Sequence, residues 1–309
     1  MKKNIKQILP LISVIMPVYN AGDYLVPAVE SILHQTYQNF EFIIIDDAST
    51  DNSLDVLRRY KKLYPDKIKL LALKKNRNHG GDRCVNQGLK LAKGKYIARM
   101  DADDIAVLTR LEKQVTFLET HPDIFLVGSS AHVIDSKGNT IGEKLEPNST
   151  KDIYNAYFTF HPLIHPTCMF RRIHKGIEFR YNIKFSANND YYTFFGILCK
   201  GYKFINLDEK LLYYRIHGKN DTFVNMKQKF SNTLKIRYEI VTKYGYKPSP
   251  RALLITIFQS LAIYLLPEKM LRNLYFLAKG ITKKEQIVFQ LNPYGFISLF
   301  GRKILAFTS

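Results

Sequence analysis

The strongest constraint on this chain is the repeated alternation of short apolar runs with segments of helical spacing. Residues 11–20 read Leu11-Ile12-Ser13-Val14-Ile15-Met16-Pro17-Val18-Tyr19-Asn20, an apolar β-branched run stopped by proline. Residues 24–34 follow with Leu25, Val29, Ile32 and Leu33 on one helical face. Residues 40–45 are apolar but for Glu41, as expected of a parallel strand covered on both faces. They end in Asp46-Asp47-Ala48-Ser49-Thr50-Asp51-Asn52-Ser53, rich in N-cap residues, which feeds a helix over 54–64. A third strand is expected over 68–73, a polar loop over 76–81, a helix over 84–92 and a fourth strand over 96–100. This pattern predicts an open, doubly wound α/β sheet, in which ligands sit beyond the carboxyl ends of the strands. Asp47, Asp101, Asp103 and Asp104 fall at such ends.

Further on, residues 109–121 carry Leu111, Val115 and Leu118 at helical spacing, with a strand expected over 124–128 and a hairpin at Ser136-Lys137-Gly138-Asn139. The alternation then becomes irregular. His161-Pro162-Leu163-Ile164-His165-Pro166-Thr167 reads as a loop feeding a strand over 168–171, Asn188-Asn189-Asp190 as the cap of a helix over 191–199, and 210–216 as a last strand. From about Thr222 onward the pattern is helical, giving an expected division into an α/β domain over 1–221 and a basic helical region over 222–309.

Chemistry concentrates at Gly94-Lys95-Tyr96-Ile97-Ala98-Arg99-Met100-Asp101-Ala102-Asp103-Asp104. Three carboxylates within four positions at a strand end need a counter-ion or polar ligand. Their hard oxygens suit Mg2+ or Mn2+, ions that share their shell with substrate phosphates, so a phosphate-bearing substrate is expected. The alternative is that these are solvated loop aspartates, or an N-cap for the helix over 109–121, Asp104 above all.

The net charge of +19 over 309 residues is unusual, and residues 225–309 alone carry 14 Lys and Arg against 3 Glu. Such an excess implies an anionic partner. Cys84, Cys168 and Cys199 are scattered and fit neither a disulfide framework nor a zinc knuckle, which favours a reducing cytoplasm. Lys2, Lys3 and Lys6 before an apolar run imitate a secretion signal, but Pro10 and Pro17 interrupt it.

Four stretches in order, Val14-Ile15-Met16-Pro17-Val18-Tyr19-Asn20, Ile45-Asp46-Asp47-Ala48-Ser49-Thr50-Asp51, Gly94 to Asp104, and Arg110-Leu111-Glu112-Lys113-Gln114, resemble the family 2 glycosyltransferases of the GT-A fold. The resemblance covers about residues 13–217. It implies a Rossmann-like, mostly parallel sheet flanked by helices, and an inverting transferase of the bacterial surface-polysaccharide type. Carried over by position, it implies that Asp47 accepts a hydrogen bond from the donor base and that Pro17, Tyr19 and Asn20 line the same pocket. Asp103 is implied as the direct metal ligand, and Asp101 as facing the ribose or a metal-bound water. Asp190 stands where the family places its catalytic base, with Asn189 in place of the usual glutamate. Arg215 and His217 fall where relatives place diphosphate or metal contacts. Arg83 lies near the position of a family arginine, although Val85 occupies the exact place. The implied partners are a nucleotide-sugar donor, UDP-linked, and a glycan or lipid-linked glycan acceptor. Structural readings stand beside these: Asp190 as a helix N-cap, Arg215 and His217 as purely structural side chains, and His165 as a turn residue before Pro166.

Residues 252–266 are apolar with three polar interruptions and stop at Pro267, short of the ~20 residues needed to span a bilayer. Residues 296–307 again mix apolar residues with cations. Such segments suit either an interfacial helix on anionic lipid, which would place the enzyme on the inner face of the cytoplasmic membrane, or the core of a small domain with a solvated basic face. An oxidoreductase is disfavoured because no G-x-G-x-x-G follows the first strand. Nucleic acid is disfavoured because no recognition motif accompanies the charge.

Overall fold

The computed structural model describes residues 9–77, 81–217, 220, 225–267 and 270–271. Its elements run β1 (Ile12–Val18), α1 (Leu25–Leu33), β2 (Phe40–Asp46), α2 (Ser53–Leu63), β3 (Ile68–Ala72), α3 (Asp82–Leu91), β4 (Tyr96–Arg99), β5 (Ile105–Ala106) and α4 (Arg110–Thr120). They continue with β6 (Ile124–Ile134), β7 (Thr140–Lys144), α5 (Thr150–Ala156), β8 (Met169–Arg171), β9 (Ile173–His174), β10 (Ile177–Glu178), α6 (Asn189–Cys199), β11 (Lys203–Arg215), α7 (Met226–Tyr244) and α8 (Pro250–Leu265). The chain divides into two compact units, one of residues 1–127 and 165–181, the other of residues 128–164 and 182–309.

In the first unit β3, β2, β1 and β4 lie side by side and parallel. β8 then adds antiparallel to β4, and the first residues of β6 add antiparallel to β8. β1 and β2 are buried along almost their whole length, which is why their sequences are apolar without alternation. α3 lies so close over these strands that a Cβ at Gly88 would stand 2.8 Å from both Ile15 Cγ2 and Ile45 Cδ1. Only glycine admits that approach.

The amino-terminal edge of the sheet is locked by Glu41. Its carboxylate accepts from Ser13 Oγ at 2.5 Å, Lys93 N at 2.6 Å and Lys69 Nζ at 2.5 Å. Ser13 Oγ in turn accepts from Gly94 N at 2.8 Å. Burial alone would raise the Glu41 pKa, but the donors from Lys69, Ser13 and Lys93 outweigh it and hold the group below the usual carboxylate range.

In the second unit β6 pairs antiparallel with β7 through a turn whose Asp135 carboxylate accepts from the Lys137 and Asn139 amides. An aromatic core gathers Tyr157, Tyr191, Phe195 and Tyr246, with Tyr157 stacked on Phe195 at 4.7 Å and Phe195 edge-on to Tyr246 at 4.9 Å. α7 and α8 are joined by buried Arg237, whose guanidinium donates to Thr256 Oγ1 at 3.1 Å, Gln259 Oε1 at 2.9 Å and Thr159 O at 2.8 Å.

Most expected elements appear within a residue or two. β6 runs on to Ile134 instead of stopping at 128, because Ser129 and Ser130 are buried within it and Ser129 Oγ donates to Ser130 O. β11 begins at Lys203, seven residues before the expected start, with Asp208 and Glu209 inside a continuous strand. α5 was not expected; it starts at Ser149, whose Oγ accepts from Asp152 N at 3.1 Å. α7 and α8 bear out helix after residue 225, whereas the expected boundary at 221–222 and the apolar cluster over 296–307 lie outside the described residues.

Candidate active site

The first unit brings the carboxyl ends of β1, β2 and β4 together, because these three strands are neighbours in parallel register. Past β1, Asn20 takes a left-handed φ of 49° and acts as a clamp. Its Oδ1 accepts from Thr50 N at 2.8 Å and Asp51 N at 3.3 Å, while its own amide donates to Ser49 Oγ at 3.1 Å. The loop after β1 and the loop after β2 are thereby held as one surface. Tyr19 stands half exposed on it, and Pro17 packs under Gly81, where a Cβ would come within 3.2 Å of the Pro17 ring. Gly81 has φ 82°, a conformation glycine takes without strain.

Asp47 is the second element. It is buried, its amide donates to Val18 O at 2.8 Å, and its Oδ1 accepts from Arg77 N at 2.8 Å. Burial raises its pKa, and the donors from the Arg77 amide and the Cys84 thiol only partly offset this. Arg83 lies exposed on α3, while Asn86 on the same helix exchanges two hydrogen bonds with the Tyr181 backbone at 2.8 and 2.9 Å.

The third element is the carboxylate run after β4. Asp101 Oδ1 accepts from Arg99 Nη2 at 2.9 Å, and Arg99 is 1% exposed. The same guanidinium donates from Nη1 to Ile15 O and Met100 O, each at 3.2 Å, and from Nε to His165 Nε2 at 3.3 Å. His165 Nε2 also lies 2.7 Å from Tyr181 Oη. A second fully buried arginine, Arg110, donates to Arg99 O at 2.7 Å. Burial pushes its pKa down to about 10, and Asp104 and Asp101 are among the charges that oppose the fall. The carboxylate cluster is therefore partly balanced from beneath by two arginines. Sequence reasoning asked for a counter-ion and missed that the chain supplies one, because an arginine inside a strand reads as an interruption. His165 is more than a turn residue, since it is the ring against which Arg99 is set. Asp104 is buried and does not cap α4, whose N-cap position is Thr109.

No group of three or more His, Cys, Asp or Glu side chains that could hold a metal occurs among the described residues. The carboxylate oxygens of Asp101 and Asp103 are hard donors of the kind that suits Mg2+ or Mn2+, ions that complete their shell with phosphate oxygens and water.

The second unit carries Asp190, Arg215 and His217. Asp190 sits in the first turn of α6. It does not cap the helix: Asn188 is the N-cap residue, at φ 64°, and its side chain donates to Lys229 O and Thr233 Oγ1 instead. Asp190 Oδ2 lies 3.4 Å from His161 Nε2. His161 is boxed by Tyr157 and Tyr191, with ring centroids 5.5 and 5.4 Å away. Asn189 is buried and its Oδ1 accepts from Phe185 N at 2.9 Å, fixing the strap before the helix. Arg215 is buried and donates to Asp135 O at 3.1 Å, holding the β6–β7 turn. The His217 amide donates to Asn220 Oδ1 at 2.5 Å. The motif reading named Asp190 but not His161 beside it, since 28 residues of irregular sequence lie between them.

A profile of glycosyl transferase family 2 matches residues 13–175. An uncharacterized glycosyltransferase of Methanocaldococcus jannaschii is 35% identical over 223 residues, covering 71% of this chain and 75% of that protein. The UDP-Glc:alpha-D-GlcNAc-diphosphoundecaprenol beta-1,3-glucosyltransferase of Escherichia coli is 33% identical over 230 residues, covering 74% and 86%. Among solved structures, Staphylococcus aureus TarS 1-349 in complex with UDP superposes with a TM-score of 0.55 at 18% identity, covering 87% of this chain and 79% of that one. The mannosyltransferase PcManGT of Pyrobaculum calidifontis, in complex with GDP-Man and Mn2+, does so with a TM-score of 0.55 at 17% identity, covering 98% and 89%. These two likenesses establish the GT-A fold, and the relatives and the profile go further: the chain belongs to glycosyl transferase family 2.

Proposed function

We propose that the chain transfers a hexose or N-acetylhexosamine, with inversion, from a UDP-linked donor to a hydroxyl of a lipid-linked surface glycan. The observation that carries this reading is the placement of Asp47 and Asp101 at the carboxyl ends of β2 and β4, the two strands that flank β1 in parallel register, with Asp101 oriented by buried Arg99. In it, Asp47 accepts from the nucleotide base, and Pro17 and Tyr19 wall the same pocket over the surface that Asn20 holds rigid. Asp103 would hold the metal, Mg2+ or Mn2+, with Asp101 toward the ribose or a metal-bound water, and the metal would supply Lewis-acid stabilisation of the departing diphosphate. Arg83, Arg215 and His217 are assigned to the diphosphate side. Asp190 removes the proton from the acceptor hydroxyl, with His161 setting its orientation. A single displacement at the sugar carbon then inverts it. Support for the substrate classes comes from the Escherichia coli relative, whose name gives a UDP-sugar and a diphosphoundecaprenol acceptor.

Calorimetric titration with UDP and GDP, with and without Mn2+, tests the donor half. UDP-selective, metal-dependent binding that is lost in Asp103→Asn is the expected result. In Asp190→Asn, turnover should fall by about 100- to 10,000-fold while UDP affinity stays within about twofold. Substantial residual activity in Asp190→Asn would remove it from the role of base.

A further inference from the structure

α8 is turned inside out relative to an ordinary surface helix. The side it packs inward holds Ala252, Thr256 and Gln259, and the last two are fixed there by the Arg237 guanidinium at 3.1 and 2.9 Å. Gln259 Nε2 adds a bond to Thr159 O at 3.0 Å, so the rotation of the helix about its axis is set by hydrogen bonds. The opposite side presents Leu253, Leu254, Ile257, Phe258, Leu261 and Leu265, each between 45% and 76% exposed. Their spacing of three, four and seven residues makes one continuous stripe. An apolar stripe of this length facing water marks a surface that something covers.

Length and charge indicate what covers it. Sixteen residues rise about 24 Å, short of the ~30 Å hydrocarbon core, and no helix among the described residues is long and apolar enough to cross a membrane. No Asp or Glu occurs between residues 240 and 267, while Lys247 and Arg251 stand at the start of the helix. At its other end Lys227 lines a shallow groove with Ile263 and Tyr264, and the Tyr264 ring is 76% exposed. Cations at both ends of the stripe and an amphipathic tyrosine beside it are the features of a helix lying in a lipid interface. A second copy of the same stripe would bring like charges together with no acidic residue in this stretch to pair them. We propose that α8 docks in the plane of an anionic bilayer surface, its stripe about 5–10 Å into the headgroup boundary. The inference rests on α8 and the cations at its two ends, and stands whether or not the donor assignment above is correct.

The chain contains no tryptophan, so Leu261→Trp places a single reporter on the stripe. In the full chain without lipid its emission should be that of a water-exposed indole. It should shift to the blue on vesicles containing phosphatidylglycerol, with little change on phosphatidylcholine alone. Replacing Lys247 and Arg251 by alanine should weaken that binding by roughly fivefold each. Ile257→Glu, at an exposed position, should abolish sedimentation with the anionic vesicles while leaving the circular dichroism spectrum unchanged. Emission already blue without lipid would overturn the proposal: persistence on dilution would mean another segment of the chain covers the stripe, and reddening on dilution would mean a second copy does. Equal binding of wild type and Ile257→Glu would also overturn it.

Discussion

Arg99→Met isolates the support beneath the carboxylate run. The substitution keeps most of the buried volume and removes the guanidinium that serves Asp101, Ile15 O, Met100 O and His165. Breaking one side of a fully buried pair costs about 3–5 kcal/mol, and here only the Arg99 side is fully buried. Two features place the expected loss near the lower end. Ile15 O keeps the Met100 amide at 3.1 Å, so that carbonyl is not left without a donor. The Asp101 side chain is 34% exposed and regains solvation from water. The expected destabilisation is therefore about 3 kcal/mol, read by urea denaturation followed by circular dichroism. Under conditions where the variant is folded, Mn2+-dependent UDP binding should weaken at least about tenfold, because Asp101 has lost the group that orients it. A loss below about 1 kcal/mol would show that Arg99 is not the counter-ion of the cluster. A large loss of stability with unchanged UDP affinity would show that Asp101 does not depend on it for donor binding.

The two carboxylates at opposite ends of β2 should respond to acid with opposite sign. Glu41 is held below its ordinary pKa, so it contributes stability that is present above the unfolded value of about 4.3 and lost as pH falls through the folded value. Glu41→Gln should cost about 2 kcal/mol at neutral pH, discounted because Lys69 is partly exposed, and should flatten the acid dependence of the urea midpoint. Asp47 has a raised pKa, so the folded state takes up its proton first and this group's contribution to stability increases as pH falls. UDP affinity should accordingly decline at a pH above the ordinary Asp value of about 3.9, and Asp47→Asn should remove that limb from a calorimetric pH series. In a pH-rate profile, His161→Phe should lower kcat roughly tenfold with the donor KM unchanged, the pattern of a residue that positions Asp190. A rise in the donor KM instead would place His161 in donor binding.

The first unit was largely legible because β1 and β2 are covered on both faces and so leave apolar runs that no surface helix produces. Asp47, Asp101 and Asp103 were legible because strand ends in such a sheet are where ligands sit. What the pattern concealed is polar structure that is buried. Arg99 and Arg110 look like surface residues until the carbonyls they serve are known, and Ser129 and Ser130 interrupt a strand only on paper. Asn20 was expected at the pocket wall, and its hydrogen bonds make it the clamp that shapes the wall. The choice between the two readings of α8, interfacial or core, was left open for a similar reason. Hydropathy expects the apolar face inward, whereas Arg237 selects the polar one.

β1 and β2 share seven register pairs, which set Ser13 opposite Glu41 at one edge and Val18 opposite Asp46 at the other. One ruler thus measures both the lock at the amino-terminal edge and the spacing of the loops at the carboxyl edge. A slip of a single residue would separate Ser13 from Glu41 and in the same movement take the Asp47 amide off Val18 O. Conformers with a misaligned pocket are also the ones that forfeit the Glu41 network, so the folding equilibrium itself acts as a proofreader of the site.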